Sequence, residues 1–285
     1  MIRSLPNSKW YLGGYHTFVI LYFLFLFAPL AVTCVLAFND SNFPALPWYG
    51  FSTDWFFSAG PERVGLLHDS SNLTSIWTSA QTAFFVSILS VVVGTCAAFL
   101  FEQEDFRFKG QLYFLMLAPM VIPGVILGIS ILLGTNSLGT IIEDSTGYYS
   151  ELLAPGFWLV VLGQFSFITT FVSLVVSGRL KKFDHSLEEA ALNLGANRFE
   201  VIWHITLPFL RPAIIGAGAV AFLMSFENFN TTLFLIGPEP TLPINLYLQV
   251  RDGSTPVINA ISFVLMLGTS FLALANLYFS KSEEK

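Results

Sequence analysis

The stretch "EEAALNLGANRFEVIWHITLP" runs from Glu188 to Pro208 and separates two long apolar segments. The chain has 285 residues, of which 54% are hydrophobic and 11% charged. Its mean hydropathy is +0.67. A soluble domain usually carries about 25% charged residues. The composition therefore indicates a membrane protein, and a half-polar segment in the middle of it needs a separate explanation.

The quoted stretch and the residues just before it contain start and stop signals for two short helices. Ser186 followed by Glu189 predicts a capping box at the start of the first. Gly195 is suited to end it, because glycine tolerates a left-handed backbone. Asn197 with Glu200 predicts a second N-terminus. The predicted apolar faces are Leu187, Ala190, Ala191 and Leu194 on the first helix, and Phe199, Ile202, Trp203 and Thr206 on the second.

Two prolines, Pro208 and Pro212, then predict a turn back toward the membrane. A structured helix pair with apolar faces favours a socket on another protein. The alternative is a helix pair that lies on the bilayer surface.

Six apolar stretches are long enough to cross the bilayer, which needs about 20 residues of helix. The predicted spans are 15–38, 76–101, 111–133, 154–178, 211–236 and 257–280. The first has an apolar core too long for a signal peptide, so it is interpreted as a retained anchor.

The distribution of Lys and Arg predicts the orientation. With the N-terminus inside, only Arg63 and Arg251 of the 13 cations fall outside. Both termini are therefore expected in the cytoplasm. The loops near 39–75, 134–153 and 237–256 are expected outside, and the last contains a candidate short helix, "INLYLQV". The aromatic residues of 39–75 indicate either an interfacial belt or a docking surface for an external partner.

Glu189-Ala190-Ala191, then Gly195, then Ile205-x-Leu207-Pro208 resembles the EAA loop of ATP-binding-cassette (ABC) importer permeases. The segments "PMVIPGVILG" and "SFENFNTTLFLIGP" resemble the spermidine/putrescine-type permeases of that group. The resemblance implies an all-α integral membrane protein with the type I importer permease fold. It would have six transmembrane helices in a single permease domain, 1–285, and a coupling-helix loop, 179–210. The expected location is the bacterial inner membrane.

The resemblance also implies partners: a cytoplasmic ABC ATPase dimer, a second permease chain and a periplasmic or extracellular substrate-binding protein, besides membrane lipid. The implied ATPase-coupling residues are Glu188, Glu189, Ala190, Ala191, Gly195, Ile205, Leu207 and Pro208. Arg179, Lys181 and Lys182 either pair with acids of the ATPase or anchor the loop at the membrane.

No phosphate-binding Gly-x-x-x-x-Gly-Lys-[Ser/Thr] motif occurs in the sequence. ATP and Mg²⁺ are therefore expected on the partner, with no cofactor in this chain and no enzymatic activity of its own. The net charge of -6 argues against nucleic-acid binding, which is marked by a basic surface. No metal-ligand or nucleophile–base pattern is present, so no catalytic residue is assigned.

Polar groups within a span usually face a cavity or a partner helix. The candidate substrate path comprises Glu227, Asn228, Asn230, Phe226 and Phe229. A carboxylate with aromatic neighbours favours a cationic or zwitterionic solute such as a polyamine. The alternative is that Glu227 is protonated or ties helices together. The polyamine permeases that this chain resembles often carry two adjacent acids where it has Glu227-Asn228, so a smaller cation, a zwitterion such as a betaine, or another organic solute remains open.

Pro119 and Pro123 predict a loosened turn beside the path or a fixed kink in the third span. Gln164 and Asn276 are candidate hydrogen-bond partners between helices. The alternative to an importer subunit is a self-sufficient secondary carrier or channel, which would transport without an ATPase.

Overall fold

A computed structural model describes residues 9–61, 63–147, 150–253 and 255–283, with side chains described between residues 10 and 271. Within these ranges the chain is helical and has no named strand, only two isolated β-bridges. The helices are α1 Lys9–Leu36, α2 Asp54–Phe57, α3 Ser70–Gln103, α4 Lys109–Val121, α5 Gly124–Thr146, α6 Phe157–Leu180, α7 Ser186–Asn193, α8 Arg198–Val201, α9 Leu207–Phe226, α10 Thr232–Leu235, α11 Leu242–Gly253 and α12 Val257–Glu283. A five-residue π-helix, Ile202–Thr206, joins α8 to α9.

Five of the described helices are long and apolar enough to cross a membrane: Trp10–Leu36, Ser70–Gln103, Gly124–Thr146, Phe157–Leu180 and Arg198–Phe226. The predicted sixth span falls on α12, which is apolar over Val257–Phe271. An all-helical membrane fold is therefore confirmed, whereas several of the predicted boundaries differ.

The predicted third span, 111–133, is not one helix. It breaks at Ile122 and Pro123, between α4 and α5, and α5 then continues to Thr146. The break follows from Pro123, which has no backbone N–H and disfavours a helical conformation at the preceding residue. Residues 134–146, predicted as an outer loop, are therefore helical.

The predicted fifth span, 211–236, was wrong at both ends. The helix begins at Arg198 and runs through the π-helix into α9, so Pro208 and Pro212 lie inside a helix and mark no turn. The wider π turn, in which the Leu207 N–H bonds the Ile202 carbonyl, accommodates the change of register just before Pro208. At the other end the helix stops at Phe226.

The described residues form two compact units, 1–70 with 249–285 and 71–248. In the first, Phe38 lies against the rings of Phe51, Phe56 and Phe263. Asn39 orders the segment after α1, because its amide donates to the Pro47 carbonyl at 3.1 Å and its Oδ1 accepts the Tyr49 N–H at 2.9 Å. The segment predicted as an external loop is therefore a folded lobe.

The second unit is built around α6, whose buried residues pack against α9 and α4. Val161, Ile168, Val172 and Val176 are fully buried there. A Cβ at Gly94 of α3 would lie 2.9 Å from the Cβ of Val172, so only glycine allows this approach of the two helices. The unit thus has a tight helical core that supports the interrupted helices beside it.

Candidate functional site

The most unusual feature of the second unit is a non-helical stretch, residues 227–231, between α9 and α10. We call it the unwound segment. An interrupted helix exposes backbone N–H and C=O groups, which are costly in hydrocarbon and are tolerated where protein or a watery cavity satisfies them. Such interruptions commonly form substrate sites in transporters. The side chains around this segment therefore decide what it can do.

A buried polar network holds both ends of the unwound segment. Gln164 of α6 is fully buried and donates its amide N–H to Thr232 Oγ1 at 2.8 Å. The Ser225 hydroxyl donates to Gln164 Oε1. Thr232 Oγ1 also donates to Asn228 Oδ1 at 2.9 Å. Gln164 thus joins the last turn of α9 to the first turn of α10.

Two glycines of α5 allow the unwound segment to pack closely. A Cβ at Gly124 would lie 3.0 Å from Asn230 Cβ, and one at Gly128 would lie 2.8 Å from the Thr231 carbonyl oxygen. Gly124 directly follows the break at Pro123. The interruption in the third span and the interruption in the fifth span therefore contact each other. The sequence predicted a loosened turn or a kink near Pro123, but it did not predict this contact.

The predicted path residues divide into two groups. Glu227 and Asn230 are exposed, and Phe229 is half-buried. Asn228 instead turns toward α10, where its Oδ1 accepts from both the N–H and the hydroxyl of Thr232. Asn228 therefore acts as a helix cap, and its carboxamide is committed within the protein. Phe226 stacks on Phe222, with ring centroids 6.1 Å apart.

One aromatic residue beside the unwound segment, Tyr247, was not predicted from the sequence. Tyr247 of α11 meets Phe229 edge to face, with ring centroids 5.2 Å apart. The helix that carries Tyr247 is held on α3, since Asn245 donates to Asn72 Oδ1 at 2.9 Å and to Ser75 Oγ at 3.2 Å. The short helix expected at "INLYLQV" is present as part of α11, but its sequence did not reveal this anchor.

The second candidate site is the connecting loop, which we define as residues 181–206. Its first helix, α7, begins at Ser186 without the predicted Ser186–Glu189 capping box. Asp184 caps it instead, with Oδ1 accepting the Ser186 N–H at 3.0 Å. Hydrogen bonds from the side chain and backbone of Ser186 lower the pKa of Asp184. The carboxylate two residues before the helix therefore replaces the predicted cap.

The start of α8, the second helix of the connecting loop, has the capping residues that the sequence predicts. Asn197 Oδ1 accepts the Glu200 N–H at 2.9 Å and Glu200 Oε2 accepts the Asn197 N–H at 2.8 Å. Gly195 has φ of +94°, a conformation that other residues rarely adopt. These two features fix the angle at which the chain passes from α7 into α8.

The connecting loop presents apolar side chains outward. Phe199 and Trp203 are stacked, with centroids 6.1 Å apart, and are 72% and 58% exposed. Leu194 is 90% exposed. The predicted second face was wrong in one respect, because Thr206 is fully buried rather than beside Phe199 and Trp203. The π-helix shifts the register between these positions.

The predicted coupling residues differ in exposure. Four are exposed: Glu189, Ala190, Gly195 and Pro208. The other four are partly buried: Glu188, Ala191, Ile205 and Leu207. Arg179 lies over the ring of Phe209 at 4.1 Å, and Lys181 Nζ lies 3.4 Å from a carboxylate oxygen of Glu102. Both cations therefore have partners within the chain.

Comparison with known proteins decides the family. Residues 90–282 match the model described as "Binding-protein-dependent transport system inner membrane component". The chain belongs to this family. It is a permease component of a binding-protein-dependent importer, a multi-pass protein of the inner membrane.

Two curated relatives in Escherichia coli (strain K12) are similar over nearly their full length. The putrescine transport system permease protein PotI is 32% identical over 100% of this chain and 96% of its own. The spermidine/putrescine transport system permease protein PotC is 27% identical over 96% and 95%. A chain of a bacterial ABC transporter that imports alginate shares the fold, with a TM-score of 0.77, 17% identity and 97% of each chain covered.

The polar network gives a prediction about the stability of the permease. Gln164→Leu removes both the donor to Thr232 and the acceptor for Ser225. The Thr232 hydroxyl keeps its bond to Asn228, whereas the buried Ser225 hydroxyl loses its acceptor, at a cost of about 1–3 kcal/mol. We expect a lower unfolding temperature of the purified protein in detergent. The matched control is Gln111→Leu, because Gln111 is exposed on α4. Equal unfolding temperatures for the two variants would contradict this role of Gln164.

Proposed function

We propose that this permease is driven by a cytoplasmic ABC ATPase dimer that binds the connecting loop. The observation that carries the proposal is the outward stack of Phe199 and Trp203 beside the exposed Leu194. Exposed aromatic residues in a structured protrusion are typical anchors of protein interfaces. The same loop carries the Glu189-Ala190-Ala191 motif, in which two small side chains permit close approach of a partner.

The source of energy follows from what the sequence lacks. It has no phosphate-binding motif, so ATP and Mg²⁺ belong on the ATPase. Eleven of the 13 cations fall on the segments assigned to the inside. The positive-inside rule then supports cytoplasmic termini and a cytoplasmic connecting loop. In this arrangement the ATPase supplies the work and the permease supplies the path.

The substrate that we propose is a small organic cation of the putrescine type. Glu227 is exposed on the unwound segment, and Phe229 and Tyr247 provide aromatic surface next to it. A carboxylate with aromatic rings suits an alkyl chain that ends in ammonium groups. Because Asn228 is neutral and serves as a cap, one carboxylate faces outward here. That charge count supports a diamine over a longer polyamine.

Two further partners complete the proposal: a second permease chain and an external substrate-binding protein. A solved alginate transporter similar in fold was crystallised with its periplasmic protein. In this chain the lobe after α1 exposes Phe43, Tyr49 and Phe51. Hydrogen bonds of Asn39 to Pro47 and Tyr49 order this lobe, which offers a site for a partner at the external face.

Replacement of the exposed aromatic pair tests the ATPase interface. Phe199→Ala with Trp203→Ala is expected to weaken binding by at least about 2 kcal/mol, or roughly 30-fold in affinity. The measurement is the amount of ATPase that co-purifies with the permease from membranes. Trp77→Ala is the matched control, because Trp77 is 64% exposed on α3. Undiminished ATPase on the double variant would rule out this face as the interface.

Neutralisation of Glu227 tests the substrate assignment. Glu227→Gln keeps the size of the side chain and removes its charge. We expect the concentration of putrescine for half-maximal uptake to rise about tenfold, since the loss of one hydrogen bond between charged groups costs about 1.5 kcal/mol. Uptake of labelled putrescine by cells that express the complete transporter measures this. Glu239→Gln is the control, because Glu239 follows α10 and is exposed, and identical curves for both variants would refute the assignment.

A further inference from the structure

One helix connects the two candidate sites of the permease. The segment Arg198–Phe226 is helical throughout its 29 residues. At about 1.5 Å per residue it is roughly 43 Å long. Phe199 and Trp203 lie at one end, and the unwound segment follows the other. We call this segment the connecting rod, because a displacement at one end of a stiff helix moves the other.

Besides Pro212 within α9, the connecting rod has a weak place near the connecting loop. Residues Ile202–Thr206 form the π-helix, in which the Leu207 N–H bonds the carbonyl five residues back. Pro208 follows at once and donates no backbone hydrogen bond. Wide turns and prolines are where helices bend. If the rod bent here, a displacement of the connecting loop would be absorbed before it reached α9.

The Glu188 carboxylate of α7 forms hydrogen bonds beside the π-helix. Thr206, the last residue of the π-helix, is fully buried and donates its hydroxyl to Glu188 Oε1 at 2.6 Å. The amide of Gln103, at the end of α3, donates to the same oxygen at 3.4 Å. His185 Nδ1 lies 3.1 Å from Glu188 Oε2. Only 19% of the Glu188 side chain is exposed, in contrast to the exposed Glu189.

We propose that Glu188 is a positioning residue that transmits movement of α7 to the unwound segment through its hydrogen bond with Thr206. The inference rests on the proposed docking of an ATPase on the connecting loop. Glu189 belongs to the docking surface, whereas Glu188 points into the protein and links α7 to the rod. Loss of the link leaves docking intact and separates the ATPase from the path.

The test measures the unwound segment directly and needs no substrate. In the complete transporter in lipid nanodiscs, Cys34 and Cys96 are replaced by Ser and a single cysteine is introduced by Asn230→Cys. Its rate of reaction with a membrane-impermeant maleimide is measured without nucleotide and with ATP plus vanadate. With the link intact, we expect the two rates to differ by at least about fivefold, the lower range of allosteric coupling.

Thr206→Val removes the hydroxyl at nearly constant volume and is expected to reduce this difference to less than about twofold. The ATPase should remain bound and hydrolyse ATP. Thr206→Ser keeps the hydroxyl and should restore the difference. Thr140→Val is the matched control, because the Thr140 hydroxyl bonds only the Asn136 carbonyl of its own helix among its described contacts. Glu188→Ala and Glu188→Gln repeat the comparison from the other side, since Gln retains an acceptor.

Each remaining outcome overturns the inference in a distinguishable way. A nucleotide-dependent difference that survives in Thr206→Val and Glu188→Ala shows that the link transmits nothing. ATPase lost from these two variants alone shows that the link serves docking. No nucleotide-dependent difference in the parent shows that the unwound segment does not follow the ATPase. ATPase absent from the parent complex as well would instead overturn the proposed docking.

Discussion

An interrupted helix in a membrane leaves backbone N–H and C=O groups that hydrocarbon cannot satisfy. The described part of this permease has two such interruptions, at Pro123 and at residues 227–231, and they pack against each other. Gly124 and Gly128 permit that contact, and the fully buried Gln164 joins the helix ends on either side of the second interruption. The fixed polar network leaves Glu227 and Asn230 exposed. The same arrangement that makes the interruption tolerable therefore leaves it open for the solute that we propose.

The second structural constraint concerns the transmission of movement. A path that opens and closes needs a connection to its source of energy, and this chain offers a continuous helix from the connecting loop to residue 226. The π-helix would weaken that connection, but the bond from Thr206 to Glu188 joins α7 directly to the end of the π-helix. The outward aromatic pair and the inward carboxylate thus have different tasks on one short loop. In the proposed mechanism the pair provides a surface for the ATPase, and the carboxylate ties that surface to the rest of the unit.

The sequence predicted those features that depend on local chemistry. The Asn197–Glu200 capping box and the positive φ of Gly195 are decided within a few residues, and both were found. The Ser186 capping box was wrong because Asp184, which precedes it, competes for the same N–H. Apolar residues resume at Leu233–Ile236 after the polar stretch, so the predicted span ran on to residue 236 although the helix ends at Phe226. The partners of Gln164 lie more than 60 residues away in sequence, and only the packing of α6 against α9 brings them together.

The central claim is that residues 227–231 form a non-helical wall of an aqueous passage. A cysteine scan from Ser225 to Thr232, in the complete transporter and without its native cysteines, tests it most directly. The account predicts fast reaction with a membrane-impermeant thiol reagent at positions 227 and 230. It predicts protection at 225 and 232, whose side chains are buried in the Gln164 network. Protection at 227 and 230, or reaction at 225 and 232 as fast as at these two positions, would contradict the account.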